Sequence, residues 1–238
     1  MKQGIIIGAS SGIGWELAVQ LAAKGYQLGL VARRLEKLEQ LSNSLTGDHF
    51  VVRSDVTDVQ QAQDALNELI KKMGNVELII LNSGVGQMEK KLDWPTQREM
   101  IDVNIRGFAA LTLVSMDYFM ARGSGHLVGI SSVSAHMSSG LAPTYVATKA
   151  FVSSYLNGIR SRAEYSKLPI TVTTVEPGFV DTPMVQGNPM WTAPVKKAVT
   201  QLVSAMLKKK GHIYVTKRWR LVAWILNLTP KWLMRRFF

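Results

Sequence analysis

Seven short apolar runs recur along the chain, at residues 4–7, 27–32, 49–53, 77–81, 125–130, 170–175 and 211–215, and no other feature constrains its folding more. They are nearly continuous in Ile, Val and Leu, the pattern of strands buried on both faces. Between them lie segments with apolar residues at helical spacing. Two of these, "GWELAVQLAAKG" and "ALNELIKKMG", close on a glycine where a left-handed C-cap belongs. Strands alternating with helices predict a doubly wound α/β fold, a parallel sheet of about seven strands with helices on both faces. Thr96 and Glu99 in "TQRE" match a capping box and predict the start of a long helix reaching about Arg122. A chain of 238 residues with no Pro/Gly/Ser-rich linker and no repeat fits a single domain.

The formal charge of +11 suggests a nucleic-acid partner until it is divided along the chain. From Lys208 onward there are nine Lys/Arg and no Asp/Glu, which leaves 19 cationic and 17 anionic residues in the body. Basic character belongs to the tail, so no nucleic-acid partner is expected. Cysteine is absent, which excludes disulfides and thiol chemistry and fits a reducing compartment. No His-x-Glu metal spacing occurs, and no metal is expected. No charged segment and apolar core precede "GIIIGAS", so no signal peptide is expected and a cytoplasmic location is.

The first strand runs into "GASSGIGWELA", which places Gly8, Gly12 and Gly14 in a turn that opens a helix. Free N–H groups and the positive end of the helix dipole attract a pyrophosphate at such a turn, and glycine permits close backbone approach. The spacing is G-x-x-x-G-x-G, and no G-K-[ST] follows, which argues against an ATPase or kinase. A dinucleotide site selecting NAD would carry a carboxylate at the end of strand two. Ala32 stands there, followed by Arg33 and Arg34. A guanidinium fork suits a 2′-phosphate, so the expected cofactor is NADP(H), although two arginines could also simply open an exposed helix.

With these residues in view, the sequence resembles the short-chain dehydrogenase/reductase family, in its single-domain Rossmann-type branch, over about residues 4–215. The resemblance rests on the glycine loop, "DVTD", "NSG", "DVNIRG", "ISSVSA", "YVATK" and "PGFVDTPM", in that order. Ile7 and Ser83 depart from the family's usual Thr and Ala. The resemblance implies a hydride transfer between NADP(H) and a carbonyl or alcohol. It makes Tyr145 the proton donor, Lys149 one helical turn on the cation that favours its phenolate, Ser132 the donor to the substrate oxygen, and Asn104 the holder of a water leading to Lys149. It also implies cofactor contacts from Gly8, Ser10, Ser11, Gly12, Ile13, Gly14, Arg33, Arg34, Asp55, Val56, Asn82, Ser83, Gly84, Tyr145, Lys149, Pro177, Gly178, Val180 and Thr182. A homo-oligomer, dimer or tetramer, follows from the same resemblance and from the apolar breadth of "FAALTLVSMDYFM".

Residues 183–194 combine Pro183, Gly187, Pro189 and Pro194 with Met184, Val185, Met190 and Trp191, as a lid over the substrate would. With Met137 and Phe179 they suggest a hydrophobic small-molecule substrate, and core packing is the other reading of these side chains. The expected division is residues 1–216 as the nucleotide-binding and catalytic body and 217–238 as a basic, aromatic tail. That tail is too short to cross a bilayer. Either it lies in a membrane interface as a peripheral contact, or it folds back onto the pocket or a partner subunit. Two other functions share the pattern in part: an NADP(H)-binding sensor or scaffold without turnover, and a sugar-nucleotide epimerase, whose chains carry a large C-terminal domain absent here.

Overall fold

A computed structural model describes residues 1–89, 91–185, 187, 189 and 191–230. Each apolar run forms a strand: β1 (Lys2–Ile7), β2 (Tyr26–Ala32), β3 (Phe50–Arg53), β4 (Leu78–Leu81), β5 (Gly125–Ile130), β6 (Ile170–Pro177) and β7 (His212–Val215). All pair in parallel, in the order β3-β2-β1-β4-β5-β6-β7. The chain winds outward in both directions from β1 and β4, so a crevice opens where their C-terminal ends diverge.

Alternate side chains on each strand feed two separate cores. Ile6, Leu78 and Ile80 join helices α1 (Gly12–Ala22), α2 (Leu35–Ser44) and α7 (Val195–Met206) on one face. Ile5, Ile7, Ile79 and Leu81 join α3 (Val59–Met73), α5 (Phe108–Arg122) and α6 (Pro143–Tyr165) on the other. Both faces are therefore dry, which is why the strands read as continuous apolar runs. Gly74, at φ 88°, caps α3 as the sequence predicts. Gly25 adopts φ 79° two turn residues beyond the end of α1.

The helix predicted from Thr96 differs in two respects. It begins earlier, as α4 (Trp94–Ile101), because Asp93 is the cap and accepts from the Thr96 N–H at 3.0 Å. A carboxylate at that position outcompetes a hydroxyl for the helix's free N–H groups. The helix is also interrupted: residues Asp102–Gly107 form a π-helical segment before α5. There the missing Cβ of Gly107 lets the segment press against the Val56 main chain.

The described part of the tail is helical as well. Helix α8 (Trp219–Leu228) packs Trp219, Ala223 and Leu226 against Val133 at the end of the crevice.

Candidate active site

The glycine turn leaves β1 at Ile7 and enters α1 at Gly12. Gly8 adopts φ 90° and lies so close to the Ser83 backbone that a Cβ would stand 2.7 Å from its nitrogen. Asn82 ties this approach by donating from Nδ2 to the Gly8 carbonyl at 2.8 Å. Ser11 precedes α1 without capping it by a side-chain hydrogen bond, which leaves the dipole's positive end for an anion. Thr182 closes the turn from above, its methyl 3.1 Å from where a Gly12 Cβ would be. Residues from the ends of β1, β4 and β6 thus meet at one cradle, whose residues fit a pyrophosphate.

The two arginines after β2 separate. Arg34 reaches the cradle and donates to Ser10 Oγ and Ser11 Oγ, both at 2.9 Å. Arg33 turns toward Asp55, 3.9 Å away, in an exposed pair. Asp55 also accepts from the Thr57 N–H and hydroxyl at 3.0 and 2.9 Å, which fixes the loop after β3. Val56 is buried under Gly107 and Val180 is buried in the sheet core, so neither side chain lines the cradle. Pro177 ends β6, and Gly178 follows with Trp219 packed directly on it.

Tyr145 lies in the first turn of α6 and Lys149 in the second. The Tyr145 side chain is half-buried, with its phenol on the side of the Ser132 hydroxyl. Gly86 fits against its ring, where a Cβ would lie 2.8 Å from Cε2. Lys149 Nζ stands 5.8 Å from the centre of the same ring and donates to the Ile130 carbonyl at 3.1 Å. Burial pushes the Lys149 ammonium down to about 8. The direction at Tyr145 departs from the expected one: burial raises the phenol, and only the Ser132 hydrogen bond opposes it. Removing the phenolate's hydration outweighs a cation that sits over the ring instead of at the oxygen. The hydroxyl is accordingly held protonated.

Ser132 caps the short turn Val133–His136, accepting from Ser134 N at 3.1 Å, and its hydroxyl lies between the ends of β5 and β6. Asn104 is buried in the π segment. Its amide donates to the Val85 carbonyl at 2.8 Å and Thr148 Oγ1 at 3.0 Å, and its oxygen accepts from Val85 N at 2.9 Å. The side chain expected to hold a water is thus a clamp between the loop after β4 and α6. The carboxamide oxygen and Lys149 Nζ nevertheless border the same space at Gly84, 3.4 and 3.2 Å from where its Cβ would be.

Two carboxylates near this centre escaped the motif reading. Glu89, buried, accepts from Thr144 N at 3.0 Å and from its hydroxyl at 3.1 Å, and so caps the turn that carries Tyr145. Glu176, fully buried on β6, accepts from Ser153 Oγ at 2.7 Å, and Ser153 Oγ lies 2.8 Å from Ser131 Oγ. A lone acidic residue inside "TVTTVEPG" was the available signal for Glu176. Nothing local marks Glu89. Of the expected lid, Met190 lies outside the described residues. Val180 pairs with Ala193 across its base, and Ala193 N donates to the Phe179 carbonyl at 2.9 Å.

The family model for the short chain dehydrogenases matches residues 2–193 of this chain. The chain belongs to that family. Among its relatives, an uncharacterized oxidoreductase of Mycobacterium tuberculosis is 33% identical over 246 residues, covering 98% of this chain and 96% of the relative. Another from Staphylococcus epidermidis is 31% identical over 189 residues, 79% of this chain and 81% of the relative. Solved structures share the fold. A short-chain dehydrogenase/reductase from Burkholderia phymatum in complex with NAD has TM-score 0.84 at 20% identity, over 93% of this chain and 91% of that one. One from Sphingobium yanoikuyae in complex with NADPH has TM-score 0.83 at 23% identity, over 93% and 92%. As a short-chain dehydrogenase the protein is an oxidoreductase that uses a nicotinamide nucleotide, and the cradle at Gly8–Gly14 matches that requirement.

Proposed function

We propose that the protein is an NADPH-dependent reductase of hydrophobic carbonyl compounds, working reversibly on the corresponding alcohols, with Tyr145 as the acid. The observation that carries this reading is the Tyr145 phenol on the side of Ser132, packed against Gly86 and one helical turn from buried Lys149, whose Nζ lies 5.8 Å from its ring centre. NADPH supplies the hydride when bound. The chain's residues do the rest: Ser132 orients the carbonyl oxygen, Tyr145 gives that oxygen a proton as charge develops on it, and Lys149 stabilises the phenolate left behind. A phenol kept protonated at neutral pH is suited to donation, and the reverse reaction needs the phenolate.

Preference for NADPH is supported by Arg34 on Ser10 and Ser11 and by the absence of a carboxylate at Ala32. Cofactor contacts are proposed for the glycine turn, Asp55, the main chains of Val56 and Val180, Asn82 to Gly84, and Pro177, Gly178 and Thr182. A hydrophobic substrate is supported by exposed apolar groups on the segments that follow β4 and β6 and precede α6: Met88, Leu92, Trp94 and Leu141, and Phe179, Met184 and Trp191. Self-association through α5 is supported by Leu113 and Met120, two turns apart and exposed on one side of that helix. Sedimentation at micromolar concentration is expected to give a dimer or tetramer, and monomer alone would refute it.

The test is Tyr145→Phe, assayed with NADPH against hydrophobic aldehydes and ketones. It is expected to bind NADPH as the wild type does and to lose about 10²–10⁴-fold in turnover. Wild-type turnover by the variant would end the assignment. NADPH binding by the wild type with no turnover of any carbonyl would favour the sensor reading.

A further inference from the structure

Helix α8 has two apolar faces. The inner one is buried against the turn that follows Ser132, and its Trp219 meets Phe179 and Trp191 edge-on, ring centres 5.7 and 6.0 Å apart. Residues 219–228 therefore pack on the body, one of the two fates expected for the tail. Packing does not account for the outer face. Leu221, Trp224, Ile225 and Leu228 are 62, 60, 50 and 64% exposed. Their spacing of i, i+3, i+4 and i+7 gathers them into an arc of roughly 100° opposite the buried one. Arg218 and Arg220 are exposed on its two flanks, Arg218 also donating to the Trp191 carbonyl at 2.7 Å, and Lys217 precedes it. From Lys208 to the C-terminus the sequence holds no acidic residue.

A stripe of four large apolar side chains whose charged neighbours on α8 are all cations restricts what can cover it. A second copy of the same helix would bring equal positive charge against it, which disfavours a pair of α8 faces. An anionic lipid surface offers the opposite charge, a boundary where a tryptophan ring is stable and hydrocarbon for the aliphatic groups. We propose that the outer face of α8 docks on an anionic bilayer, lying in its interface with Leu221, Trp224, Ile225 and Leu228 in the lipid and Lys217, Arg218 and Arg220 at the headgroups. The inner face then sets the orientation, because Trp219 joins the docked helix to Phe179 and Trp191 at the mouth of the site. This last point rests on the reductase reading: a carbonyl compound dissolved in the bilayer reaches Tyr145 along an apolar path.

Vesicle co-sedimentation of the full chain tests the docking without reference to turnover. Binding is expected to phosphatidylglycerol/phosphatidylcholine vesicles and not to phosphatidylcholine alone, weakening severalfold between about 50 and 500 mM salt. Trp224→Ser/Ile225→Ser and, separately, Arg220→Glu are each expected to weaken it about tenfold while NADPH affinity and the melting temperature stay unchanged. The proposal is overturned if the wild type stays in the supernatant at low salt or if the variants bind as well as it does. It is equally overturned if the variants instead break a dimer or tetramer, which would make this face a subunit interface. A second readout compares a vesicle-borne long-chain ketone with a water-soluble carbonyl, and the double variant is expected to lose only the first. Wild type that docks but reduces neither would sink the reductase reading and leave the docking standing.

Discussion

His136 donates from Nε2 to Glu176 Oε2 at 2.6 Å, and this buried pair joins the turn after Ser132 to the end of β6. His212 reaches the same carboxylate oxygen at 3.1 Å from β7, and the other ring nitrogen of His136 faces Asn227 Oδ1 on α8 at 3.0 Å. One carboxylate thus holds together the loop bearing Ser132, two strand ends and the tail helix.

Stability should depend on pH through this cluster. Burial alone would raise Glu176, but hydrogen bonds from His136, His212 and Ser153 outweigh it and hold the carboxyl at about 2. Its contribution is complete above the ordinary 4.5 and is lost as pH falls from there toward 2. The same hydrogen bond raises His136, whose contribution is complete below 6.5 and is lost as pH rises through its raised value. Buried His126, pushed down to about 4, must be neutral in the fold and costs stability as pH drops below 6.5. Thermal melts should therefore peak near pH 6.5 and fall on both sides. Glu176→Gln is expected to cost about 2 kcal/mol, a drop of roughly 4–8 °C, and to flatten the alkaline limb. A variant with the wild-type pH profile would contradict this.

Ser132→Ala should alter the ionisation of Tyr145 as well as the rate. The Ser132 hydrogen bond is what opposes the burial that raises the phenol. Without it the pKa rises further, so in alcohol oxidation, where phenolate is needed, the pH–rate limb moves to higher pH. Turnover should fall about 10²-fold or more. A slower enzyme with an unmoved limb would show that Ser132 does not touch Tyr145 in function.

For the cofactor, Arg34→Ser should weaken NADPH binding by about 10- to 100-fold, the loss of one charge-assisted contact to phosphate, and leave NADH nearly unchanged. Fluorescence titration of both reduced cofactors decides it. Arg33→Ser is expected to have the smaller effect, because Arg33 faces Asp55 in an exposed pair. Equal losses for NADPH and NADH would assign Arg34 to the fold of the turn.

Trp219 offers a packing test that separates shape from hydrogen bonding. It is buried against Gly178, and its indole N–H has no partner among the described residues. Trp219→Phe should cost little, since no hydrogen bond is lost, whereas Trp219→Ala should cost about 3–5 kcal/mol and raise KM by loosening the loop after β6. Melting curves and kinetics of the two variants check the order, and equal destabilisation would refute it.

The sheet was legible in the chain because both its faces are buried. Every residue of a strand such as Ile5–Ile6–Ile7 had to be apolar whichever helix it met, so the runs could be found without knowing the partners. The glycine turn was legible for a similar reason, since Gly8 and Gly12 hold positive φ angles that few other residues adopt. The cap of α4 was misplaced because Asp93 and Thr96 are both good capping residues, and only the backbone path shows which N–H groups are free. Glu89 and Glu176 left weak traces or none, because a buried carboxylate is explained by donors far away in sequence: Thr144, Ser153, His136 and His212. The protonation of Tyr145 was also a tertiary matter. Sequence spacing puts Lys149 one turn away, but the balance between its charge and burial depends on where the ammonium points and how much protein surrounds the phenol. The amino-acid order by itself determined the strands, the cradle and the family's residues, because local periodicity and backbone permissiveness are written residue by residue. Only the tertiary structure decided which arginine faces the cradle, which face of α8 is buried and which is left apolar and exposed, because those outcomes depend on neighbours that sequence distance does not reveal.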